Sequence, residues 1–294
     1  MIWVAATLIA AVAQTARNAA QAGLGGRIGT IGATSVRFIF GFPFAALFLL
    51  LLTPFTNLPP LNATAIGFTA MGAGAQIGAT AFMLLTMRGQ SFGVATALMK
   101  TEPVTLALIG ILILNEPMGP ASLAAIGLAT LGVMLSSGAR WSRAGLIPVV
   151  NGITAGTLFG LSAIGFRGAL LTLPEGSFFV HALTILVLTL GLQSSITLAW
   201  MLIADRRALR GITGEWRVSL AAGGLGAFAS LFWFIGFALT PAANVRTLAL
   251  IEVVFAQIVS GRFLHESTGR MQLIGMALIA AGVGWLLALT ATGG

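Results

Sequence analysis

The chain has 294 residues, of which 57% are hydrophobic and 7% charged, with a mean hydropathy of +1.01. Soluble domains carry about 25% charged residues, so a water-soluble fold is excluded, and the absence of cysteine excludes disulfides, thiolate nucleophiles and cysteine-based metal sites. The formal charge of +8 would point to nucleic acid in a soluble protein, but here it bears on orientation, because loop arginines and lysines set how a membrane chain inserts.

A membrane-spanning helix needs about 20 mostly apolar residues. Ten stretches satisfy this, at 2–24, 29–52, 63–87, 92–114, 119–138, 145–171, 178–204, 217–239, 243–264 and 269–290. The first has no basic lead-in and no small-residue cleavage site, so it reads as a retained helix. The breaks between stretches carry turn or charge signals, among them Gly25–Arg27, Thr56–Pro60, Arg88–Ser91, Ala139–Arg143, Asp205–Arg210 and Thr240–Pro241. Ten arginines fall after stretches one, three, five, seven and nine: Arg27, Arg88, Arg140, Arg143, Arg206, Arg207, Arg210, Arg217, Arg262 and Arg270. The other connections and both termini hold no basic residue. The positive-inside rule makes the arginine side cytoplasmic and turns both termini outward.

In stretch one, Gln14, Arg17, Asn18 and Gln21 are spaced i, i+3, i+4, i+7 and share one helical face. Lipid satisfies none of them, so the stripe must face protein or a water-filled cavity; it is the first candidate for a substrate wall, the alternative being an interhelical hydrogen-bond seam with Arg17 snorkelling toward the cytoplasmic interface. In stretch two, Thr30, Thr34 and Arg37 form a second polar face, better suited to an ion pair or a snorkelling arginine. Gln76 and Thr80 are cavity candidates in stretch three. Phe82 there and Trp233 in stretch eight are candidate pocket walls, although aromatic residues in membrane helices more often serve packing.

Stretch four contains Met99–Val104, "MKTEPV", with Lys100 and Glu102 inside otherwise apolar sequence. A charge at the bilayer centre costs about 2.5–3.5 kcal/mol on insertion scales. Pro103 removes a backbone donor, clashes with the preceding turn and biases Glu102 away from helical dihedrals. A kinked or loosened helix is therefore expected at 100–102. Two residues apart, Lys100 and Glu102 point to opposite sides, and each needs its own partner. Gly152, Gly156 and Gly160 in stretch six, and Gly74 with Gly78 in stretch three, have the spacing of close helix crossings. Arg246, near the start of stretch nine, is expected to snorkel outward, and His181 to be a satisfied polar residue.

The chain repeats internally. Shifted by 150 positions, Leu98–Val133 falls on Leu248–Val283 without a gap, and ten of 36 positions are identical, Glu102/Glu252, Glu116/Glu266, Gly119/Gly269 and Gly132/Gly282 among them. Five helices per repeat is an odd number, so the second repeat is expected to be inverted, a common construction of secondary transporters. Glu252 would then lie at the depth of Glu102. That equivalence makes the two glutamates candidates for binding or coupling; the alternative is that both pair with cations such as Arg17 or Lys100 and lock the two halves together.

With its "P-V…LxE…G…GV" type pattern, "EPVTLALIGILILNEPMGPASLAAIGLATLGVML" resembles the EamA branch of the drug/metabolite transporter superfamily. The segment "EVVFAQIVSGRFLHESTGRMQLIGMALIAAGVGWL" resembles it with valine in place of proline. The resemblance implies an all-α integral membrane fold of ten transmembrane helices, with repeats at 1–138 and 145–290 around a central cavity, and alternating access. Many members of that branch have cytoplasmic termini, against the arginine argument here. No cofactor or metal is expected. HExxH is incomplete after His265–Glu266, and the sequence has no P-loop and no GxSxG, so no enzymatic activity is expected.

Together these readings predict a secondary transporter, an exporter of a small polar metabolite such as an amino acid, in a plasma or bacterial inner membrane. Arg17 and Lys100 would serve a substrate carboxylate, and Glu102 and Glu252 an ammonium or a coupling proton. The alternative is a proton-coupled multidrug exporter of lipophilic cations, in which the arginines pair internally and the aromatics line the pocket. The expected partners are a small-molecule substrate, protons and the lipid bilayer, with no nucleic acid. The chain would be a monomer, or a homodimer through the small-residue-rich stretches five and ten.

Overall fold

The computed structural model describes residues 1–22, 24–89, 98–137, 146–254 and 269–292; the side chains at 18–22, 25–26, 30–31, 84 and 87–89 fall outside that description. The helices are α1 (Ile2–Ala22), α2 (Gly25–Ile39), α3 (Gly41–Leu52), α4 (Ala63–Gly89), α5 (Glu102–Leu114), α6 (Pro120–Ser136), α7 (Leu146–Leu171), α8 (Phe178–Ala204), α9 (Arg206–Gly214), α10 (Trp216–Leu239), α11 (Ala242–Leu248) and α12 (Arg270–Ala291). There is no strand among the described residues. Among the described residues, five helical segments are long and apolar enough to cross a membrane: Gly32–Leu52, Leu146–Leu171, Phe178–Ala204, Trp216–Leu239 and Arg270–Ala291.

Two of these features were not expected. The second predicted helix, 29–52, opens on a break: Gly29 takes φ +73°, a backbone region that favours glycine, and the chain then runs as one span over Gly32–Leu52, with Phe40 keeping helical dihedrals between α2 and α3. The connection Asp205–Arg210, read as a charged break, instead opens helix α9, and the Asp205 side chain caps it by accepting from the Ala208 N–H at 3.0 Å.

The chain divides into two compact units, residues 1–77 with 165–240, and residues 78–164 with 241–294. Each unit thus draws on both sequence repeats. In the first, α1 lies along α10, while α3, α8 and α10 pack on one another. Leu24, Ile28, Ala33, Val36, Met201, Ala208, Ile212 and Ala222 form a buried cluster joining α2, α8, α9 and α10. A methyl at Gly165 would stand 2.7 Å from the Gly72 Cα. The close approach of α4 and α7 in this unit therefore runs through Gly72, and Gly74, expected to be a packing glycine, is exposed.

In the second unit, α6 and α12 cross at backbone distance. A Cβ on Gly132 would sit 2.6 Å from the Gly275 carbonyl oxygen and 2.7 Å from the Ile279 nitrogen; a Cβ on Gly282 would sit 2.7 Å from the Ala125 carbonyl oxygen and 2.7 Å from the Ala129 nitrogen. Rising numbers on one helix meet falling numbers on the other, so the pair is antiparallel. The two contacts also exchange under the 150-residue shift. Gly132, Gly275 and Gly282 thus pack within one chain, and the close crossing supplies dispersion contacts that lipid would not.

Candidate functional site

Four charged side chains meet in the second unit, on two interrupted helices. Residues 98–99 are helical, Lys100 and Thr101 form a turn, and α5 begins at Glu102. In the other repeat, α11 ends at Leu248, Ala249 and Leu250 form a turn, and helical geometry resumes at 251–254. Both turns are tightened by bonds spanning three residues: the Thr101 N–H donates to the Leu98 carbonyl at 3.4 Å, and the Glu252 N–H to the Ala249 carbonyl at 3.1 Å. The interruptions thus fall within a residue of each other under the repeat shift, and each glutamate stands where the helix restarts.

A glutamate in the first turn of a helix is favoured by the exposed N–H groups there. Pro103 also sits in the first turn of α5, where its missing donor costs nothing. Val253 occupies the equivalent place in the second repeat, and the helix is interrupted there as well, so proline is not the sole cause of the break.

Each glutamate takes a cation from the opposite repeat. Lys100 pairs with Glu252, and Arg246 pairs with Glu102 at 3.1 Å. Arg246 is therefore not a snorkelling residue. The quartet balances, two positive against two negative. Its members differ in access: the side chains of Lys100 and Glu252 are 21% and 22% exposed, those of Arg246 and Glu102 13% and 12%.

The glycines of α7 bring that helix against the first interruption. A Cβ on Gly156 would lie 3.1 Å from the Met99 carbonyl oxygen, and one on Gly160 3.3 Å from Thr105 Oγ1. Larger residues there would displace the turn that carries Lys100. Thr80, on the same unit's part of α4, is buried, and Phe82 is partly buried.

The polar residues of the first unit make their own contacts. Trp233 Nε1 donates to Gln14 Oε1 at 3.1 Å, and the indole is 4% exposed and stacked on Phe237. Arg17 is buried, its aliphatic stem running past Gly226. Asn18 and Gln21 lie outside the described side chains. Gln76 Oε1 accepts from Gln193 Nε2 at 2.9 Å, and Gln193 also reaches the Ala73 carbonyl. Sequence reasoning missed Gln193, although a lone glutamine eleven residues before the end of a long apolar helix is itself a signal of a buried polar contact. Arg167, on α7, donates to the carbonyls of Phe237 at 2.6 Å and Ala238 at 3.1 Å. It satisfies the C-terminal end of α10, where a cation is favoured.

The site holds opposed charges at interrupted helices and, among the described residues, no cluster of histidine, cysteine and carboxylate groups that would hold a metal ion. Such an arrangement can bind and exchange ionic groups. No curated protein sequence matches the chain. A solved crystal structure is similar to it over 97% of this chain and 99% of the other, with a TM-score of 0.71 and 14% sequence identity; that likeness concerns the fold alone. The model of the EamA-like transporter family matches residues 1–138 and again 146–288. The chain belongs to this family, and is a multi-pass membrane transporter of the drug/metabolite transporter superfamily.

Proposed function

We propose that this family member is a secondary active exporter of a small zwitterionic metabolite, of the amino-acid class, working by alternating access around the Lys100–Glu252 pair. The observation that carries the reading is the balanced quartet on two interrupted helices. Charges inside a membrane protein are costly unless paired. A zwitterion can enter between Lys100 and Glu252 with its carboxylate on the ammonium and its own ammonium on the carboxylate. One protein–protein pair is thereby replaced by two protein–substrate pairs, and the net charge does not change. A lipophilic cation offers Glu252 a partner but leaves Lys100 uncompensated.

Of the two pairs, Lys100–Glu252 is the more exposed, so it is the one a ligand reaches first, while Arg246–Glu102 holds the two repeats together behind it. A proton on Glu252 would release Lys100 in the same way, and this supplies a coupling step without further residues.

The test is counterflow in proteoliposomes with a panel of labelled amino acids, organic anions and a lipophilic cation. Saturable exchange of amino acids is expected, falling at least about tenfold in Glu252→Gln and in Lys100→Gln. Exchange of the lipophilic cation with amino acids inert, or amino-acid exchange unchanged in both variants, overturns the reading.

A further inference from the structure

Helix α9 joins two helices long enough to cross a membrane, Phe178–Ala204 and Trp216–Leu239, so it lies at a membrane face. Its two faces differ sharply. Ala208 and Ile212, spaced i and i+4, are buried in the cluster with Leu24, Ile28, Met201 and Ala222. Gly211 lies close above Ile28, where a Cβ would come within 3.0 Å. The opposite face presents Arg206, Arg207 and Arg210 to the outside, and Arg217 follows at the start of α10.

The nearby acids are engaged elsewhere. Asp205 caps α9, and Glu215 pairs with Arg27 at 3.2 Å. Among the described residues no carboxylate reaches Arg206, Arg207, Arg210 or Arg217. Arg206 Nε donates to the Leu202 carbonyl at 3.1 Å, and the Arg217 guanidinium stands 5.5 Å from the centre of the Trp216 ring. Both contacts leave further guanidinium donors available. Beside this cationic face, the last turns of α8 and the start of α10 expose Trp200, Leu202, Ile203 and Trp216. Exposed tryptophans at the ends of spanning helices mark headgroup level, and the aliphatic residues beside them suit acyl chains.

We propose that the arginine face of α9 is a binding site for anionic phospholipid, whose phosphodiester headgroup engages Arg206, Arg207 and Arg210 while its acyl chains lie along Trp200, Ile203 and Trp216. Guanidinium groups match phosphate oxygens in geometry as well as charge, and a basic face on an amphipathic helix beside a membrane span is the sequence-readable form of anionic lipid recognition. The burial of Ala208 and Ile212 among α2, α8 and α10 couples an occupied site to the packing of the first unit, so lipid binding stabilises the fold by mass action. This inference is independent of what the transporter carries.

The experiment compares dioleoyl phosphatidylglycerol with dioleoyl phosphatidylcholine, titrated into the detergent-purified full chain, with lipid adducts read by native mass spectrometry and unfolding temperature by a thermal scan. The triple variant Arg206→Gln/Arg207→Gln/Arg210→Gln and the matching triple lysine variant are run beside the wild type. Phosphatidylglycerol is expected to bind the wild type at least about tenfold better than phosphatidylcholine and to raise its unfolding temperature. The glutamine triple should lose both effects and the lysine triple should keep a large part of them. The preference should also weaken at high salt, as exposed charges are screened. Equal binding of the two lipids by the wild type overturns the proposal, as does an unchanged preference in the glutamine triple. An equal thermal shift from soluble glycerol phosphate would identify a phosphoester site rather than a lipid site, and overturns it too. The three arginines are exposed and the variant is expected to fold; if it does not, the wild-type comparison across salt still decides.

Discussion

Lys100 and Glu252 are 152 positions apart in the chain and form an ion pair across the two repeats. Each stands at a point where its helix is interrupted, so neither side chain is anchored by a continuous helical ladder on both sides. A double-mutant cycle of Lys100→Met and Glu252→Gln, read by unfolding temperature, should give a coupling energy of about 1–3 kcal/mol. The single variants should each be less stable than the double, because each leaves one charge without its partner.

The Arg246–Glu102 pair is less exposed, and its loss should cost more. Arg246→Gln is expected to destabilise the protein by about 3 kcal/mol, measured by thermal unfolding in one fixed detergent. The reciprocal exchange Glu102→Arg with Arg246→Glu should recover a large part of that loss. If stability falls no further for Arg246→Gln than for Lys100→Met, the two pairs do not divide into a structural and an exchangeable one.

Backbone-to-backbone packing of α6 on α12 leaves no room for a side chain at Gly132 or Gly282. Gly132→Ala should cost about 1–3 kcal/mol through forced separation of the helices. Gly127→Ala, on the same helix with nothing within 4 Å of the added carbon, should be neutral or slightly stabilising. Expression level and thermal stability of the two alanine variants, side by side, test the crossing directly.

Pro103→Ala should leave the interruption in place. The proline occupies the first turn of α5, a position that tolerates it but does not depend on it, and the second repeat is interrupted without one. The variant is expected to lie within about 1 kcal/mol of the wild type, with its transport activity retained. A large loss of activity with unchanged stability would mean that the proline acts in the transport cycle rather than in the resting geometry.

Much of the architecture was legible from apolar run length alone, since the membrane admits only helices that satisfy their own backbone. Three things were not. The break at the start of predicted helix two depends on one glycine dihedral, and Gly29 looks like any other glycine of a chain that has 38. Helix α9 was hidden because its nine residues are too short and too charged for a membrane criterion, although Asp205 as cap and Ala208 with Ile212 at i, i+4 were visible signals. At the candidate site, the spacing separated Lys100 from Glu102 and the repeat raised Lys100 as a partner for a glutamate, as its pair with Glu252 shows, but Glu102 takes its cation from 144 positions away, which no local pattern encodes. Arg246 was misjudged for that reason: its depth in the helix suggested snorkelling, and only the fold brings Glu102 to it.

The antiparallel crossing of α6 and α12 also constrains the order in which the protein is made. Residues 125–136 leave the ribosome well before residues 275–282 exist, so the glycine face of α6 waits, unmatched, while more than a hundred further residues are inserted. Until then its backbone lies against lipid or against whatever insertion machinery shields it. The second unit therefore closes only when α12 arrives, and a chain that stops short of Arg270 would carry an exposed seam of the kind that membrane quality control can recognise.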